Sequence, residues 1–164
     1  MAHILRFLAE RDEEVVILSL DGVGAFDHVE RAAFLNKLES IPELHNIIPL
    51  VVALYGTDSQ FLWKDDKGVV YTIRQAEGGE QGCPLMPALY ALAQLYGLVA
   101  ANDNLLPNEL LLSFLDDLYV VTCRSRAYDA FQEVTTAVEE CAGVRTHLGK
   151  LRRVWSAGGR GSTT

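Results

Sequence analysis

Apolar and polar residues alternate along this chain in two rhythms, one of strands and one of helices. "VVILSL" (15–20) is an unbroken apolar run ending at Asp21, which predicts a buried strand. "SQFLW" and "VVYTIR" flank "KDDKG" and predict a β-hairpin with a glycine-containing loop. "LLLSF" and "LYVVT" predict a second hairpin with Asp116 and Asp117 at its tip. Residues 2–10 read as a helix that begins in mid-element, as though more chain preceded it. "HVERAAFLNKLES" reads as a helix capped by Asp27, with Glu30 three residues further on. Another helix is expected from Asn46 to Tyr55, with Pro49 in its first turn and Gly56 at its end. Pro84 and Pro87 open a helix over about residues 85–100 that is apolar on nearly every side, which predicts burial all round. Ser125 is expected to cap a last, amphipathic helix that ends at Gly143. "VRTHLGKLRRVW" predicts a short edge strand pair, and "SAGGRGSTT" a frayed tail. The order β-α-α-ββ-α-ββ-α-β predicts an α+β fold, an antiparallel sheet with helices packed on one face.

Composition narrows the class. A chain of 164 residues, 49% of them hydrophobic, suits one domain with a real core. "IIPLVVALY" and "ALYALAQLYGLVAA" are too short or too interrupted to span a bilayer, so no membrane partner is expected. "MAHILRFLAERDEEVV" lacks the order of a secretory signal. Cys83, Cys123 and Cys141 are odd in number and form no CxxC pair, which predicts free thiols in a reducing, intracellular compartment, cytoplasm or nucleus. The formal charge of −8 counts against a chain that grips nucleic acid by itself. It is compatible with an acidic metal site whose basic partners lie elsewhere.

The chemistry starts from "LLSFLDDLYVV", where Asp116 and Asp117 sit side by side in an apolar stretch. Burying unpaired carboxylates costs several kcal/mol at the least. A tight turn between two strands instead puts them at the edge of the sheet. If the sheet brings the end of the first strand, Asp21, to the same edge, three carboxylates meet and repel unless a divalent cation sits among them. Mg²⁺ takes oxygen ligands and needs only a few carboxylates plus substrate phosphates. Two such ions about 3.5–4 Å apart activate an attacking hydroxyl and stabilise a leaving oxygen in phosphoryl transfer.

"LDGVGAFDHV", "EGGEQGCPLMPAL" and "FLDDLYVV", in this order and spacing, resemble the palm motifs of reverse transcriptases, most closely those of non-LTR retrotransposons and group II introns. "GVRTHLGK" resembles the palm motif that follows, with its lysine. The resemblance implies a polymerase palm, ferredoxin-like, over residues 1–156, with a flexible tail over 157–164 and no fingers or thumb. It implies RNA-directed DNA polymerase activity in a fragment of a retroelement protein, with Mg²⁺ or Mn²⁺ as cofactor. The partners would be an RNA or DNA template-primer and dNTPs, bound weakly without fingers and thumb. Asp21 and Asp116 would be the metal-binding carboxylates, Asp117 would support them, and the Gly22 carbonyl would be a further metal ligand. Phe26 would be the steric gate that excludes a 2′-hydroxyl. Gln81 and Gly82 would lie along the incoming nucleotide, and Lys150 would protonate the pyrophosphate leaving group. Met86, Leu115 and Leu151 depart from the commoner spelling without touching a metal ligand.

Other functions share parts of this pattern. A catalytically inactive relic, or an interaction domain with a palm fold, would keep the motifs and lack the activity. A nucleotidyl cyclase also puts acids on a related sheet, but its Gly-Gly-acid turn needs a hairpin, and "GGEQG" runs into a proline-rich helix start. An RNA-dependent RNA polymerase needs room for the 2′-hydroxyl, which Phe26 opposes. His28 and His147 have no partners at metal-ligand spacing.

Overall fold

The computed structural model describes residues 2–11, 14–80 and 82–155. In chain order the elements are α1 (Ala2–Arg11), β1 (Val15–Asp21), α2 (Ala25–His28), α3 (Arg31–Glu39), α4 (Ile48–Tyr55), β2 (Ser59–Lys64), β3 (Val70–Gln75), α5 (Met86–Asn104), β4 (Leu110–Phe114), β5 (Asp117–Cys123), α6 (Ala127–Ala142) and β6 (Arg152–Trp155). Short 3₁₀ turns at Pro42–Ile47 and Leu148–Lys150 join them. The expected α+β class is what forms. Four strands make an antiparallel sheet in the order β4-β5-β1-β6, and β2 and β3 pair as a separate hairpin.

The apolar run of β1, interrupted only by Ser19, suits a strand inside the sheet, between β5 and β6, with residues of both faces buried. Val16, Leu18 and Leu20 alternate onto the face where Leu118 and Val120 of β5 meet Ala130, Val134 and Val138 of α6. A second core joins Phe34 and Leu38 of α3, Val51 and Tyr55 of α4, and Met86, Leu89 and Tyr90 at the start of α5. α5 therefore bridges both cores. It approaches α6 closely at Gly97, where a Cβ would collide with the Ala137 carbonyl.

Several local expectations are corrected. Asp27 caps no long helix; it lies within the single turn of α2, and α3 starts after Glu30 without a side-chain cap. The break has tertiary causes, since Val29 accepts a hydrogen bond from the Gly78 amide and the Glu30 amide donates to the Ala142 carbonyl. Those bonds use backbone groups that a continuous helix would keep. Ser125 does not cap α6 either: the helix is preceded by Arg126, and the Ser125 hydroxyl lies 3.2 Å from Cys123 Sγ. α5 is not buried all round, because Leu95, Tyr96 and Val99 are exposed. The α4 region divides into a 3₁₀ turn and a shorter helix. The expected edge strand pair is one strand, β6, plus a bridge between Thr146 and Gly22. The predicted tail lies outside the described residues. Cys83, Cys123 and Cys141 are free thiols. No helix among the described residues is long and apolar enough to cross a membrane.

Candidate active site

Strand register sets the site. β1 and β5 pair so that Asp21 stands directly opposite Asp117, and β4 and β5 close with Phe114 opposite Asp117. Only Leu115 and Asp116 remain in the turn. Leu115 has φ 56, and Asp116 does not have positive φ. Positive φ at the first turn position alone is the pattern of a II′ hairpin turn, which normally takes glycine there. Leu115 is the one non-glycine residue with positive φ among the described residues. Such strain persists where the surroundings over-determine it and gathers at functional sites.

Like charges directly opposite on a sheet repel. Lys150, at the end of its 3₁₀ turn, offsets that repulsion with its Nζ 2.8 Å from Asp21 Oδ2. The backbone delivers it: the His147 amide donates to the Asp21 carbonyl at 2.7 Å, and the Lys150 amide donates to the His147 carbonyl at 2.9 Å. Gly22 continues β1 into its bridge with Thr146, and the Val23 amide donates to Arg145. Asp21 and Lys150 are one-third and about half exposed, so solvent screens the pair.

The buried tyrosine of α5, Tyr90, reports on the same edge. Tyr90 is 1% exposed, and burial, with the charges of Asp116 and Asp21 adding to it, pushes its phenol well above the ordinary value. Both carboxylates therefore act on one buried phenol. Phe26 meets that ring edge to face, with centroids 5.2 Å apart. The glycine-rich loop docks beside it, its Gly78 and Gly79 amides donating to the Val29 and Phe26 carbonyls, each at 2.8 Å. A Cβ at Gly78, which has φ 65, would collide with the Asp27 carbonyl. Gly82 lies at the exposed far end of that loop, and Gln81 lies outside the described residues.

The structure thus gathers Asp21, Gly22, Asp116, Asp117 and Lys150 at one end of the sheet, with Phe26 joined to that end through Tyr90. Among the described residues no group of three His, Cys, Asp or Glu side chains is close enough to hold a metal ion. The donor chemistry nevertheless fits a hard divalent cation, which keeps waters and takes only one or two carboxylates plus phosphates. The Lys150 ammonium already stands as a positive charge on Asp21.

Three residues of this region escaped the sequence. Arg31, 7% exposed, donates to the Gly78 carbonyl at 2.8 Å, the Thr57 carbonyl at 2.6 Å and the Ser59 hydroxyl at 3.0 Å, and so ties the glycine loop to the start of β2. Tyr90 backs Phe26. Gln94, one turn along α5, donates from Nε2 to the Leu115 carbonyl at 2.7 Å. Its only trace in the sequence is an amide within the apolar stripe Met86, Tyr90, Ala93, Gly97, Ala101.

No protein-family model matches the sequence. No curated protein matches it. Solved structures do. Telomerase from Candida albicans, in complex with a TWJ fragment of telomeric RNA, is 16% identical at a TM-score of 0.66, over 97% of this chain and 29% of its own. Apo telomerase from Candida tropicalis is 13% identical at a TM-score of 0.69, over 96% of this chain and 32% of its own. This chain therefore spans about a third or less of those proteins. What the likeness establishes is the architecture: this chain shares the α+β fold of a part of those telomerase structures.

Proposed function

We propose that the chain is the palm of a template-directed nucleotidyl transferase of the RNA-directed DNA polymerase class, acting on dNTPs and an RNA or DNA template-primer. One observation carries this: the register that sets Asp21 opposite Asp117, with Asp116 in the adjoining strained turn, on a reverse-transcriptase-like sheet. Motif spelling supports a retroelement origin near the non-LTR and group II branches, and with it an intracellular setting.

Bound by Asp21 and Asp116, with the Gly22 carbonyl and Asp117 beside them, Mg²⁺ or Mn²⁺ would supply the charge that activates a primer 3′-hydroxyl and steadies a leaving pyrophosphate. The chain's own groups do the rest. Lys150, held beside Asp21, is placed to give a proton to the departing pyrophosphate. Phe26, its ring fixed by Tyr90, crowds a 2′-hydroxyl and favours deoxynucleotides. The loop carrying Gln81 and Gly82 is anchored through Gly78 and Gly79 and lets backbone approach the nucleotide.

Primer extension on RNA and DNA templates tests this. Asp116→Ala and Asp21→Ala should each cut extension by roughly two to three orders of magnitude, as loss of one charge-stabilising group does. Extension unchanged in Asp116→Ala refutes the assigned site. The lack of a closed three-ligand cluster among the described residues favours a second reading, an inactive protein with a palm fold. On that reading Mn²⁺ and dNTP give no binding heat.

A further inference from the structure

We infer that Gln94 is a positioning residue for the carboxylate turn, and that α5 acts through it as the brace of the site. The inference rests on the nucleotidyl-transfer assignment above for its functional part. Gln94 is 1% exposed and lies in the apolar stripe of α5. Its Nε2 donates to the Leu115 carbonyl at 2.7 Å, while its buried Oε1 has no hydrogen-bond partner among the described residues. Turning the amide round would set oxygen against oxygen at Leu115, so the donor's position is fixed by the bond it makes.

A buried amide with one unsatisfied atom is a poor packing choice. Methionine fills similar volume with no polar atom to desolvate. What glutamine adds is a single bond, and that bond goes to the carbonyl of Leu115, the one non-glycine residue held at positive φ among the described residues. Leu115 O belongs to the peptide group that links Leu115 to Asp116. Fixing its direction fixes the plane from which Asp116 projects. Leucine does not favour this conformation by itself, so the clamp supplies what a glycine at the turn would not need. One helical turn earlier on the same stripe, Tyr90 backs Phe26. α5 therefore references both the carboxylate edge and the sugar-facing ring to one rigid element.

The test compares wild type, Gln94→Met and Gln94→Met/Leu115→Gly. For Gln94→Met we expect a melting temperature no lower than wild type, with amide exchange across residues 115–118 faster by roughly tenfold and Mn²⁺ affinity several-fold weaker. Extension kcat should fall by about tenfold at unchanged KM for dNTP, the signature of misplaced rather than missing groups. Leu115→Gly, which adopts the turn without a clamp, should recover part of each loss. A lower melting temperature with unchanged exchange, affinity and kcat makes Gln94 merely structural and overturns the inference. Should wild type extend no primer, the nucleotidyl-transfer assignment fails separately, and exchange and Mn²⁺ affinity still decide the clamp.

Discussion

Replacing Arg31 by leucine removes the tie between the glycine loop and β2. The cost follows from where its three acceptors sit. The Gly78 carbonyl is in a buried residue and is left without its partner, at about 1–3 kcal/mol. Thr57 is exposed and Ser59 part-buried, so water can replace much of those bonds, at about 0.5 kcal/mol each. The guanidinium also lies 5.4 Å from the Tyr55 ring centroid, a contact worth about 0.5–1 kcal/mol. Leucine recovers about 1 kcal/mol by apolar burial. The net loss is about 1.5–4 kcal/mol, or roughly 3–16 °C in melting temperature for a chain of this size. Urea unfolding followed by circular dichroism measures the loss. Amide exchange at Gly78 and Gly79 locates it, because those amides hold the loop to Val29 and Phe26. Arg31→Lys, lacking the planar fork, should fall between the two. A loss below about 0.5 kcal/mol, or unchanged exchange at both glycines, refutes the account of Arg31 as the loop's anchor.

Further outcomes follow from the same contacts. Burial raises the Glu109 carboxyl, but the Thr122 hydroxyl, the Leu106 amide and Arg126 outweigh it and hold the group below its ordinary 4.5. Its stabilisation is therefore present above that value and lost as pH falls through the lowered one; the melting-temperature gap between wild type and Glu109→Gln should close on acidification. Gly78→Ala, forced against the Asp27 carbonyl at positive φ, should destabilise by about 2–4 kcal/mol in the same urea assay. Phe26→Ala should raise incorporation of ribonucleotides relative to deoxynucleotides by at least about tenfold in single-nucleotide extension.

The fold was legible where local pattern and tertiary role agree. β1 is apolar but for Ser19 and the Asp21 that ends it, and lies inside the sheet. The β2–β3 hairpin forms where predicted, whereas the second hairpin turns at Leu115-Asp116, one residue before the expected tip, so that Asp117 opens β5. Asp21, Asp116, Asp117 and Lys150 share one edge because strand ends and a tight turn leave them nowhere else to go. Sequence failed where long-range bonds decide. The break between α2 and α3 is set by Gly78 and Ala142, residues far along the chain. α5 looked buried on all sides because its exposed face is itself apolar, at Leu95, Tyr96 and Val99. Arg31 carries no local mark, since a buried arginine is spelled like an exposed one, and Gln94 carries only its place within an apolar stripe. Their roles appear only when the carbonyls they hold are known.

The central claim is that Asp21, at the end of β1, and Asp116, in the adjoining turn, hold a cation for a nucleotide, with Asp117 beside them. Calorimetric titration with Mn²⁺, with and without dNTP, tests it most directly in wild type and in Asp21→Asn/Asp116→Asn. The account predicts Mn²⁺ binding that dNTP strengthens and that the double substitution abolishes. Identical heats in both proteins, or none in wild type with dNTP present, would contradict it.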